Sequence, residues 1–140
     1  MKSCKSQLLT ALVAAIKTAL PTFTVRTKLN DFDVSDNSAY PYIYISDVYQ
    51  TENGPKDNYF YSVELLIQIV YKDITDLGDL YTTQNAVLGI FNHPKPFSLT
   101  GNFEIMENNL INSNDAEVKI DTGTLNIGLI RMNFDILDKN

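Results

Sequence analysis

The sequence predicts an α+β fold: an antiparallel sheet with a long central hairpin and two helices packed on one face. Three observations predict it. Residues 59–72 (YFYSVELLIQIVYK) are apolar or aromatic at every odd position, from Tyr59 and Tyr61 through Val63, Leu65, Ile67 and Ile69 to Tyr71. A strand sends alternate side chains to opposite faces, so this stretch has one fully apolar face. Two other stretches repeat apolar residues at three- and four-residue steps, the mark of a helix with one buried stripe. Asn53-Gly54 lies between two strand-like runs, and that dipeptide is the strongest local hairpin signal.

In chain order, residues 1–6 form a polar lead-in expected to fray. Leu8, Leu9, Leu12, Val13, Ile16 and Leu20 then share one helical face, with Ser3 or Ser6 as a cap and Pro21 as the stop. Phe23, Val25 and Thr27 alternate with polar residues and suggest a short strand. Residues 30–39 (NDFDVSDNSA) read as an acidic turn. Residues 40–50 (YPYIYISDVYQ) are a strand with Pro41 near its start, where a missing N–H is tolerated. Residues 51–58 (TENGPKDN) form a tip longer than a tight hairpin needs, leading into the antiparallel return at 59–72.

The second helix is predicted from Leu77, Leu80, Tyr81, Gln84, Leu88 and Phe91, with Val87 beside them. Thr75 or Asp76 could cap it, and Asp76 and Asp79 suit the positive end of its dipole. A loop with two prolines follows at 92–102 (NHPKPFSLTGN). Strands are expected at 103–111, 116–121 and 124–137, with a polar turn at 112–115 (NSND). In the last strand the apolar parity changes between Leu129 and Ile130. A bulge would explain that change, and so would a strand apolar on both faces. The tail at 138–140 is expected to fray.

A chain of 140 residues is long enough for one domain with its own core. Eleven basic against seventeen acidic residues give a net charge of −6, which argues against a clamp on nucleic-acid phosphates. Cys4 is the only cysteine, so no intrachain disulfide can form and a reducing compartment is expected. No secretory signal is visible, and residues 8–20 are too short and too polar at Lys17 to cross a membrane.

No catalytic set assembles from the residue types. His93 is the only histidine, and one histidine with one cysteine makes no zinc site. A Cys4–His93 dyad would place its nucleophile in the lead-in, whereas a nucleophile needs a fixed position. Asp31, Asp33, Ser35 and Asp36 start like a calcium loop, but Asp36 and Tyr42 stand where glycine and glutamate are required. Glu104, Glu107, Asp115, Glu117 and Asp121 show no spacing that singles out an acid–base pair. Six scattered glycines make no phosphate loop. The tyrosines, mostly on the hairpin strands, suit packing better than a base-stacking platform. No enzyme, cofactor or metal is therefore expected. Phe60, Leu66 and Val70 on the half-polar reverse face of the central strand suggest a subunit contact, unless the late strands fold over them.

The order of elements resembles the tail-terminator, or tail-completion, family of tailed bacteriophages, of the minor tail protein U type. The resemblance is carried by the helix LLTALVAAIKTAL (8–20) and by Pro41-Tyr42-Ile43-Tyr44-Ile45 after a polar loop. The hairpin with a loose tip, the strand ending in Tyr71, the helix at 77–91 and the closing strand at 124–137 complete it. It covers about residues 5–137 and rests on order and hydropathy, without a signature motif. What it implies is a virion structural protein with no catalytic residues, assembled in the host bacterial cytoplasm. Copies would close into a hexameric or larger ring that works in head–tail joining, between tail tube and neck. DNA would pass through its channel without specific binding. Contacts with tail-tube or neck proteins are expected at the two long loops, through Glu52, Asn53, Gly54 and Lys56 and through His93, Lys95 and Phe97. The rival readings are a neck or ring connector of a short-tailed phage and a small ligand-binding or enzymatic domain.

Overall fold

The computed structural model describes residues 3–28, 36–53 and 60–139, with Asn53 described by its backbone. Its elements are α1 (Lys5–Ala19), β1 (Thr24–Arg26), a single 3-10 turn (Asn37–Ala39), β2 (Tyr42–Asn53) and β3 (Phe60–Lys72). They are followed by α2 (Gly78–Ile90), β4 (Phe103–Ile120) and β5 (Gly123–Asp138). The five strands form one sheet in the order β1-β2-β3-β5-β4. Every pairing is antiparallel except β1 with β2, which is parallel. The sheet is therefore mixed at one edge.

The apolar parity of β3 sets the core. Tyr61, Val63, Leu65, Ile67 and Ile69 are buried, and they share one cluster with Leu8, Leu12 and Ile16 of α1 and Leu80 and Val87 of α2. Both helices thus pack on the same face of the sheet. Ile43 and Ile45 of β2, and Ile130, Met132, Phe134 and Ile136 of β5, extend the cluster sideways. Each of these side chains, moved from water into close packing, stabilises the fold by about 1.5–3 kcal/mol.

The helix starts earlier than the sequence suggests. Cys4 occupies the cap position and no side chain caps the helix. The Cys4 backbone N–H and Sγ both donate to Gln50 Oε1, at 3.1 and 3.4 Å, which ties the lead-in to β2. At the other terminus Asp138 is paired with Phe103, and the Lys139 N–H donates to Asn102 O. The N-cap of α2 is Leu77, with no side-chain cap bond, rather than Thr75 or Asp76; Asp76 Oδ1 accepts from the Gly78 N–H at 2.7 Å just ahead of it. Tyr81, expected on the buried stripe of α2, is exposed instead.

Two strand expectations are corrected. The residues 112–115, expected as a turn, lie within β4, which runs unbroken from Phe103 to Ile120. A ladder to β5 overrides the turn preference of Asn and Asp, whose side chains stay in water at this edge. Register shifts near Met106 and Ile111 absorb the mismatch on β4. In β5, by contrast, pairing with β3 runs without a shift from Leu125 to Leu137. The parity change there reflects a strand apolar on both faces, with Gly128 rather than a bulge at the crossover.

Gly128 faces α2. A Cβ there would come within 2.7 Å of Gln84 Nε2, and Gln84 is buried with Nε2 donating to Asn114 O at 3.1 Å. Glycine lets the helix sit close enough to make that bond. Gly128→Val is expected to lower stability by about 1–3 kcal/mol, and adding Gln84→Ala is expected to recover part of the loss by vacating the space. Denaturant melts of the two variants check this. On β3, Ile67→Ala should cost about 2–5 kcal/mol, whereas Leu66→Ala, one residue away on the half-exposed face, should cost under about 1.5 kcal/mol.

Candidate interaction surfaces

The sheet register brings the end of β2, the start of β3 and the start of β4, where the 92–102 loop enters, to one end of the sheet. Asn53 pairs with Phe60, Phe60 with Leu137, and Leu137 with Glu104, so these residues form one row across four strands. The β2–β3 connection and the 92–102 loop both leave the sheet at that row. Glu52, the first of the expected contact residues, is exposed near the end of β2 opposite Tyr61. Gly54 and Lys56 lie outside the described residues.

The 92–102 loop is held by specific bonds. The Lys95 N–H donates to His93 Nδ1 at 3.0 Å. Asn108 of β4 donates to His93 O at 2.8 Å and Pro94 O at 3.1 Å. Lys95 Nζ pairs with Glu104 at 2.8 Å in the open, and that ammonium holds the Glu104 carboxyl below its ordinary range. His93 and Lys95 are exposed. Phe97 is different: it is half-buried with its ring 6.3 Å from that of Phe134, so it plugs the core rim. The expected late-strand carboxylates stay apart in function: Glu104 takes Lys95, while Asp115 accepts from the Tyr81 hydroxyl at 3.5 Å.

The reverse face of the sheet has a gradient that residue types alone did not reveal. At the end carrying the β4–β5 turn, Tyr42, Val70 and Leu125 form a second buried cluster with Tyr40, Tyr44, Ile120 and Ile127 packed on it. Arg26 lies over the Tyr42 ring and Lys72 over the Tyr40 ring, at 5.8 and 5.6 Å. Lys72 Nζ also donates to Asn37 Oδ1 and Thr122 Oγ1. Burial pushes the Tyr42 hydroxyl up to about 12. Toward the hairpin end the face turns polar. Glu64 sits opposite Asn133, and Ser62 opposite Asp135, which is itself opposite Glu107. Ser62 and Asn133 donate to Asp135 at 2.9 and 3.2 Å, and Gln68 donates to Ser46 at 3.0 Å. The late strands extend this face rather than folding over it. Phe60 and Leu66 stay half-exposed, and Val70 is covered by the tyrosine cluster.

Cys4 is buried on Gln50, and burial raises its thiol to about 11. His93 is engaged with its own loop. Among the described residues no group of three or more His, Cys, Asp or Glu side chains could hold a metal ion. Among the described residues no helix is long and apolar enough to cross a membrane.

No family model matches the chain, and no curated protein matches it in sequence. Among solved structures it is similar to a chain of the virion of a native gene transfer agent (GTA) particle. The TM-score is 0.74 at 10% identity, over 98% of this chain and 99% of that one. At that identity the likeness establishes the fold, matched end to end.

Two outcomes test this description. The Cys4 thiol should resist a thiol reagent at pH 8 in the native protein and react once per chain after unfolding, because burial removes both access and thiolate. Raised in the folded state, the thiol contributes stability that is complete below its ordinary 9.0 and lost as pH rises through about 11. Lys95→Ala should return the Glu104 carboxyl toward its ordinary titration, read by NMR. It should hardly change the melting temperature, since an exposed ion pair contributes little.

Proposed function

We propose that this chain is a structural protein of a phage-like virion: a tail-terminator or tail-completion subunit forming a closed ring at the junction of tail tube and neck. One observation carries the reading. The whole fold, over 98% of this chain, matches a virion chain across 99% of that chain's length. A match confined to a common core would say less about role.

The surfaces support the same reading. The anchored 92–102 loop meets the end of the sheet where β2 ends and β3 begins, a site for contact with an axial neighbour such as a tail-tube or neck protein. The polar half of the reverse face carries Glu64, Glu107 and Asp135. If that half lines the channel, its carboxylates repel phosphate and let DNA pass without sticking, in keeping with the net charge of −6. The role is geometric: heterologous contacts close into a ring when the rotation between neighbours divides a full turn.

The test is location. Purified particles imaged with the chain identified in the map should show a closed ring between tail tube and neck, and particles made without it should fail to join heads to tails. Density in the capsid shell, at the distal tail tip, or only at the neck of a tail-less particle would overturn the terminator role.

A further inference from the structure

β4 is an outermost strand of the sheet, and among the described residues no strand pairs with its outer side. Beyond its second register shift, residues 112–120 pair with β5 without interruption, so this stretch is a regular edge. It contains no proline. Its residues are exposed, apart from Ala116 and Ile120, which are half-buried. An edge of that kind presents a row of N–H and C=O groups to whatever arrives beside it.

The stretch has two unlike faces. Ala116, Val118 and Ile120 lie across from Ile127, Leu125 and Gly123, on the side of the tyrosine cluster. Val118 is 42% exposed there. Asp115, Glu117 and Lys119 lie across from Gly128, Asn126 and Thr124, on the helix side. Asp115 meets the exposed Tyr81 of α2. Glu117 lines a hollow of about 490 Å³ together with Asp73, Asp76 and Leu77. The cluster side of the edge is therefore apolar, and the helix side is acidic until Lys119 near its end.

These two faces choose the occupant. A helix laid on either face would meet one character only, whereas an added strand sends alternate side chains to both. One set would lie beside Ala116 and Val118, where apolar side chains suit. The other would lie beside Asp115 and Glu117, where basic ones suit. A second copy brings a further net charge of −6, and its own β4 would set carboxylates against carboxylates. We infer that residues 112–120 are the docking edge for an extended segment of a different protein, one that alternates apolar with basic residues and joins the sheet as an additional strand. The inference rests on the virion reading above for the source of that segment, a neighbouring particle protein, and it leaves contacts between copies to other surfaces.

The probe is a synthetic peptide as long as the uninterrupted edge, alternating valine with lysine. Fluorescence anisotropy reads its binding to the full chain, and amide NMR shifts locate it. It should bind at low salt, weaken as salt rises and shift the amides of residues 112–120. It should bind at least about tenfold more tightly than the same peptide with glutamate for lysine. Methylating the backbone nitrogens of its valines, or those of its lysines, should abolish binding in one case and spare it in the other, because a strand docks through alternate N–H groups. Glu117→Lys should weaken the lysine peptide by at least about threefold and strengthen the glutamate peptide, at unchanged melting temperature, since Glu117 is exposed. If that variant melts lower, Glu117→Gln replaces it, with the same direction expected for the lysine peptide. No binding at millimolar peptide, unmoved amides at 112–120, equal binding of the two peptides or an equal response to the two methylations overturns the inference. So does self-association, seen by sedimentation velocity, that Val118→Lys abolishes, for then a second copy holds the edge. The two proposals fail separately. A chain that takes the peptide yet is absent from particles loses the virion role alone, and a chain found in the particle ring whose edge refuses the peptide loses the docking edge alone.

Discussion

The odd-numbered face of β3, pressed against α1 and α2, is the constraint on which the other elements depend. Five consecutive odd positions, from Tyr61 to Ile69, are buried there, and both helices dock on them. β2 and β5 flank β3 and carry their own apolar parity into the same layer. A one-residue slip of β3 would turn Ser62, Glu64 and Gln68 into the core. That penalty fixes the register, and the register then fixes which loops share an end and which side chains share a row.

Because both helices are spent on one face, the other face must manage without cover. It does so by dividing its work. One end builds a small tyrosine cluster bridged by Arg26 and Lys72, which shield it with their stems and charges. The other end is polar and satisfies itself through side-chain bonds centred on Asp135. The result is a two-layer fold with one face given to the helices and a reverse face that is half apolar cluster and half polar network.

Much of this was legible from residue types. The alternation at 59–72 marks the central strand, and the three-and-four spacing marks both helices to within a few residues. Asn53-Gly54 marks the hairpin. The 112–115 segment was not legible, because Asn and Asp favour turns locally while a long partner strand favours extension. Cys4 looked like part of a loose lead-in for the same reason: the Gln50 amide that holds it lies 46 residues away. Phe97 read as a loop contact, yet the ring of Phe134 draws it inward. The gradient on the reverse face exists only across strands.

The sequence by itself determined the periodicities, and through them the class of fold, the hairpin and the two helical stripes, because side-chain direction repeats with a fixed step along each element. Only the tertiary structure decided the strand order, the parallel pairing of β1 and the unbroken course of β4. Those depend on hydrogen bonds between residues far apart in the chain, which no local spacing encodes.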